Sequence, residues 1–179
     1  NINIYQVAPR GKTLSMDAKL VFAQKMKGSK YTPVTYFHYD EIPKETDPNA
    51  IFYVKKNGSS GAVGVNAYLY MDMATLNYKD CVVQTSMETP GLYKGKRFKV
   101  RGYILLHEGS AFFYNKSWSS HAAIEYVPSI EFEEPPDNAL FRKMHVICQR
   151  ENSPFILTSV LKNAETINAN LVLAFKDFI

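Results

Sequence analysis

The sequence predicts an α+β domain, mainly antiparallel sheet flanked by helices. Three observations lead there. Short runs rich in β-branched and aromatic residues succeed one another through the middle of the chain, turns containing Gly, Pro and Asn separate them, and helical patterns gather near the start and toward the end. With 179 residues, 46% hydrophobic and 13% aromatic, the chain is long enough for one domain whose core needs no disulfides.

Ser15 is placed to cap a helix over 16–27, with Leu20, Val21 and Phe22 as apolar positions and Gly28 as its stop. Thr35-Tyr36-Phe37 and then Ile51-Phe52-Tyr53-Val54 have the residue types of strands, and Lys55-Lys56-Asn57-Gly58 ends the second in a turn. Gly61 to Gly64 reads as a small-residue loop, followed by extended chain over 65–70, a short helix over 71–79 and a buried strand over 81–85. The alternation from Phe98 to Arg101, running on into Ile104-Leu105-Leu106, predicts one strand over 98–107. Glu108-Gly109-Ser110 turns that strand into an antiparallel partner over 111–114, which would put Arg101 on the surface of the pair. Pro128, Pro135, Pro136 and the acids around them make 127–137 a loop. Beyond it, Asp137 or Asn138 caps a helix running toward Gln149, Ser153-Pro154 opens another over 155–163, and the apolar run over 170–179 reads as a strand. No repeat or linker divides the chain, so residues 1–179 are expected to form a single domain.

Composition narrows the partners. The net charge of +4 is dispersed among acids rather than gathered into a block, so it does not argue for nucleic acid. No apolar run approaches the roughly 18 residues that cross a bilayer, and the first residues lack a signal peptide's apolar centre, so no membrane partner is expected. Cys81 and Cys148 each lie in an apolar stretch and read as buried free thiols, which points to a reducing, cytoplasmic setting.

Two segments could carry chemistry. In the run from Lys55 to Val65, KKNGSSGAVGV, small residues allow backbone N–H groups to approach phosphate oxygens and the lysine neutralises their charge. The same composition also makes an ordinary hairpin turn, and its spacing fits neither the P-loop nor the dinucleotide fingerprint. The run from Lys96 to Arg101 is a basic strand, suited either to an anionic ligand or to a solvated strand face. His38, His107 and His145 lack metal-ligand spacing and read as structural or surface residues.

Gln84, Pro90, the run Lys96-Arg97-Phe98-Lys99-Val100-Arg101 and Phe112-Phe113-Tyr114 follow one another in an order that resembles the ATP-grasp core of the tubulin tyrosine ligase-like family. The resemblance covers residues 14–123 and, more loosely, 137–179. It implies an ATP-grasp-like fold with Lys55 as the nucleotide-phosphate lysine, Ser60 and Gly64 in the loop over the phosphates, Gln84 beside adenine and Met87 against the base. It further implies Arg97 and Arg101 as catalytic cations on the phosphate side, His121 where a substrate-side arginine stands, and Asp177 on a strand as a magnesium carboxylate. This chain departs from the family pattern at Thr85, where the family has lysine, and at Lys99, where it has aspartate. The Leu-Thr-Asn segment has no counterpart, and the sequence stops before the Glu-x-Asn pair of the metal site, as in an ATP-grasp domain truncated at its C-terminus.

The activity the resemblance implies is ATP- and Mg2+-dependent ligation of a carboxylate to an amine, adding an amino acid to a tubulin-like protein acceptor through an acyl-phosphate. The alternative is a catalytically inactive relic of that fold, serving as a structural or binding module in a larger assembly. A third reading, an RNA or other anionic partner on the basic strand from Lys94 to Arg101, would show itself as binding that weakens steeply with salt.

Overall fold

Antiparallel pairing organises every strand of the computed structural model, which describes residues 18–59, 62–87, 89–108, 110–128, 138–147 and 155–178. Helix α1 (Lys19–Lys25) closes through Gly28, whose φ of +85° is a left-handed conformation that only a residue without a Cβ adopts cheaply. Ser15, its expected cap, lies outside the described residues. Strands β1 (Thr35–Tyr36), β2 (Ile51–Lys56), β3 (Val65–Leu69) and β4 (Cys81–Thr85) then form a first sheet in the order β1-β4-β2-β3. Between β3 and β4 the expected short helix is a 3-10 segment, Tyr70–Thr75.

Register decides what each face of this sheet carries. Tyr53 pairs with Gln84 on one side and Ala67 on the other, and Lys55 with Val82 and Val65. Because side chains alternate along a strand, Phe52, Val54, Cys81 and Val83 go to one face while Tyr53, Lys55, Val82 and Gln84 go to the opposite one. The first face builds a core with Ile42 and Met73 and a rim of tyrosines, in which the Tyr39 ring stacks on Tyr78 at 5.5 Å and on Tyr70 at 6.0 Å. Cys81 sits there as a buried free thiol, its pKa pushed up by burial. Cys148 lies outside the described residues. Part of the second face is covered by helix α2 (Asn138–His145), whose Phe141 packs, with Val146 just beyond, against Ala67 and Leu69.

Strands β5 (Leu92–Tyr93), β6 (Lys96–Arg101), β9 (Trp118–His121) and β10 (Phe155–Leu157) form a second sheet in the order β10-β9-β6-β5, and β7 (Ile104–His107) pairs with β8 (Ser110–Phe113) as a separate hairpin. Helix α3 (Ala164–Phe178) ends the described chain. Buried polar groups are bonded here: the Ser119 and Thr158 hydroxyls share a hydrogen bond of 2.8 Å, and Ser117 donates to Asn168 Oδ1 at 2.8 Å.

Four expectations change. The single strand over 98–107 is broken after Arg101, at Gly102, where a Cβ would lie 2.9 Å from the Phe113 ring. The hairpin is therefore β7–β8 alone, and Arg101 belongs to the other sheet, opposite Trp118. The helix expected over 155–163 is strand β10 followed by a 3-10 turn, Thr158–Val160, since pairing of Phe155-Ile156-Leu157 with β9 outweighs the local start signal. The strand expected over 170–179 is the second half of α3; periodicity cannot separate a short apolar strand from a helix, and here the helical run begins upstream at Ala164. Helix α2 stops at His145, short of Gln149.

Candidate functional site

A cavity of about 570 Å³ is walled by strands of both sheets and by α1 and α2. Four cationic side chains line it: Lys19 of α1, Lys55 of β2, and Arg97 and Lys99 of β6. The alternation of β6 puts Arg97 and Lys99 on one face, as the alternation of β2 puts Tyr53 and Lys55 on one face. No carboxylate lines the cavity among the described residues.

Each of these groups is held. Lys55 Nζ donates to Gln84 Oε1 and lies 5.8 Å from the centre of the Tyr53 ring. Gln84 is buried and its Nε2 donates to Thr35 Oγ1 at 2.9 Å, which fixes the amide with its oxygen toward the lysine. Burial first, and the charge of Lys19 second, lower the Lys55 pKa to about 8. Lys19 Nζ donates to the Ser59 carbonyl and, at 3.2 Å, to its hydroxyl, pinning α1 to the β2–β3 loop. Lys99 Nζ donates to the Ile147 carbonyl at 2.7 Å, which ties β6 to the chain just after α2.

Arg97 is the most constrained. Its Nη1 donates to Ser86 Oγ at 3.0 Å and contacts His145 Nδ1 at 3.2 Å, and the guanidinium lies 5.4 Å from the Tyr53 ring centre and 5.6 Å from that of Tyr126. Arginine can only donate, so His145 Nδ1 accepts and the proton of the neutral imidazole is on Nε2. Burial, followed by the positive charge of Arg97, brings the His145 pKa down to about 3. Nε2 is buried and has no hydrogen-bond partner among the described residues.

Of the residues singled out in the sequence, Lys55, Gln84 and Arg97 converge on this cavity. Gly64 closes the β2–β3 hairpin at φ +74°, with Ser59 Oγ 2.9 Å from where a Cβ would sit and its carbonyl accepting from Lys56 N–H at 2.8 Å. Strands β2 and β3 pair antiparallel on either side of the Gly/Ser segment, and Ser60 lies outside the described residues. Met87 is 62% exposed and does not line the cavity. Arg101 is exposed at the end of β6, and His121, whose Nδ1 is 2.8 Å from the Ala122 carbonyl, packs near Tyr93 instead. Asp177 lies in helix α3 rather than on a strand, and no described residue of α3 lines the cavity. Among the described residues, no group of three or more His, Cys, Asp or Glu is placed to hold a metal ion. Also among them, no helix is long and apolar enough to cross a membrane.

Sequence reasoning missed the parts of Tyr53, Lys19 and His145. Tyr53 was legible as the i−2 neighbour of Lys55 on the same strand face; Lys19 and His145 reach the cavity through tertiary packing that leaves no local signal. No family model matches the chain, and no curated protein matches it in sequence.

Proposed function

We propose that the protein binds ATP, with the triphosphate held in the cavity between its two sheets. The observation that carries this reading is four cations and no carboxylate among the described residues of one cavity lining, an arrangement that concentrates positive potential where a polyanion would sit. Lys55 and Arg97 would take phosphate oxygens, as the resemblance to the tubulin tyrosine ligase-like ATP-grasp core implies. Gln84, whose amide is already engaged by Lys55 and Thr35, would contact the base only by exchanging one of those bonds.

Magnesium does not fit the donors that line the cavity, which are ammonium, guanidinium, amide, phenol and neutral imidazole. That favours a nucleotide-binding module of ATP-grasp type that does not itself ligate, working within a larger assembly. The second reading is the ligase, in which the pair Lys55 and Arg97 stabilises charge developing on an acyl-phosphate; it requires carboxylates from outside the described residues. Thermal unfolding with and without Mg-ATP tests the binding: ATP at 100 times its Kd stabilises by about 2.7 kcal/mol, and an unchanged Tm at millimolar ATP rejects the proposal. ADP release that depends on an added amino acid and a protein acceptor would then select the ligase over the module.

A further inference from the structure

Lys55 stands apart from the other lysines of the cavity. It sits on the cavity face of β2 beside the Tyr53 ring and donates to the neutral amide oxygen of Gln84 on β4, while Lys19, Arg97 and Lys99 line the same space and no carboxylate of the described residues does. Burial, and after it the charge of Lys19, make this ammonium easier to deprotonate than that of an exposed lysine, the condition that activates lysine toward carbonyl carbon. Lys19, Arg97 and Lys99 can hold an anionic group on the reactant.

We propose that Lys55 is a nucleophilic amine that captures an anionic aldehyde as an imine inside the cavity. The amine adds to the aldehyde carbon, the former carbonyl oxygen takes up protons and leaves as water, and the C=N bond remains; nothing is oxidised or reduced. A phosphate or carboxylate on the aldehyde sits against Lys19, Arg97 and Lys99. The inference rests on reading the cavity as an anion site, yet needs no nucleotide there.

The lowering of the Lys55 pKa to about 8 sets the size of the effect: at pH 8 its free-amine fraction exceeds that of a lysine at 10.5 by roughly a hundredfold. The test uses pyridoxal 5′-phosphate as probe, at pH 8 and low stoichiometry, followed by borohydride to convert the imine into a stable secondary amine, and peptide mapping of every lysine. The expected result is label on Lys55 at about tenfold or more the level on exposed Lys44 and Lys143, with pyridoxal lacking the phosphate labelling less. Lys55→Arg should abolish that label, and Lys19→Met should reduce it, because removing the neighbouring charge raises the amine's pKa. Equal labelling of Lys55 and the exposed lysines in the unmodified chain overturns the proposal. Selective label on Lys55 in a protein that ATP fails to stabilise leaves the imine standing and removes the nucleotide; ATP stabilisation without selective label does the reverse.

Discussion

Among the described residues, the two sheets differ in the polar side chains they bury. The first buries Phe52, Val54, Val83 and Met73 under a stack of tyrosines, whereas the second buries Ser117, Ser119, Ser120 and Thr158 and leaves Leu105 and Phe112 of the adjoining hairpin 62% and 55% exposed. The difference separates two jobs. An apolar, interlocked core makes the first sheet a rigid mount for Lys55 and Gln84, while the second sheet presents Arg97 and Lys99 on a half-buried strand that side-chain bonds tie back across the cavity. The cavity depends on both, because its cations come from both.

That contrast can be broken from either side. Phe52→Ala, at the centre of the apolar core, should cost about 3–5 kcal/mol in denaturant unfolding, and a loss under 1 kcal/mol would mean the first sheet is not the mount described. The Arg97–His145 contact comes next. His145 has a pKa of about 3 in the fold against 6.5 when free, so below pH 6.5 the unfolded chain takes up a proton that the folded chain refuses. Stability therefore falls as pH drops from 6.5 toward 3, at about 1.4 kcal/mol per pH unit. His145→Gln should flatten this part of the acid-unfolding profile, and a profile with unchanged slope would remove the neutral imidazole from the account. In the second sheet, Ser119→Ala leaves the Thr158 hydroxyl buried without its partner and should cost about 1–3 kcal/mol. Smallest of all is Leu105→Ser on the exposed hairpin, expected within about 0.5 kcal/mol of the parent. A large loss there would show that the hairpin is covered rather than free.

The first sheet was legible because its strands are short, rich in β-branched and aromatic residues, and bounded by turn residues; Cys81–Thr85 is found where the sequence puts it. The second was not. Gly102 breaks a run that alternation alone reads as continuous, and only its close approach to Phe113 shows why a glycine is there. Residues 155–157 carry a helix-start signal just upstream and strand-forming side chains within, and long-range pairing with Trp118–His121 decides between them. The apolar run ending at Phe178 is helical because of what precedes it at Ala164, which removes the strand on which Asp177 was to stand. For the site, Lys55, Gln84 and Arg97 were singled out by residue type and order along the chain, and all three line the cavity. Lys19 and His145 arrive from distant parts of the chain, and nothing local to either announces the cavity.

The most direct test of a cation-lined cavity between the sheets is calorimetric titration of ATP into the unmodified protein and into Arg97→Gln at low salt. Loss of the guanidinium removes a charge-assisted contact worth about 1.5–3 kcal/mol, so the variant should bind at least tenfold more weakly while unfolding cooperatively like its parent. Equal affinity in the two proteins, or no measurable binding to the folded parent at millimolar ATP, would contradict the proposal that this cavity is a nucleotide site.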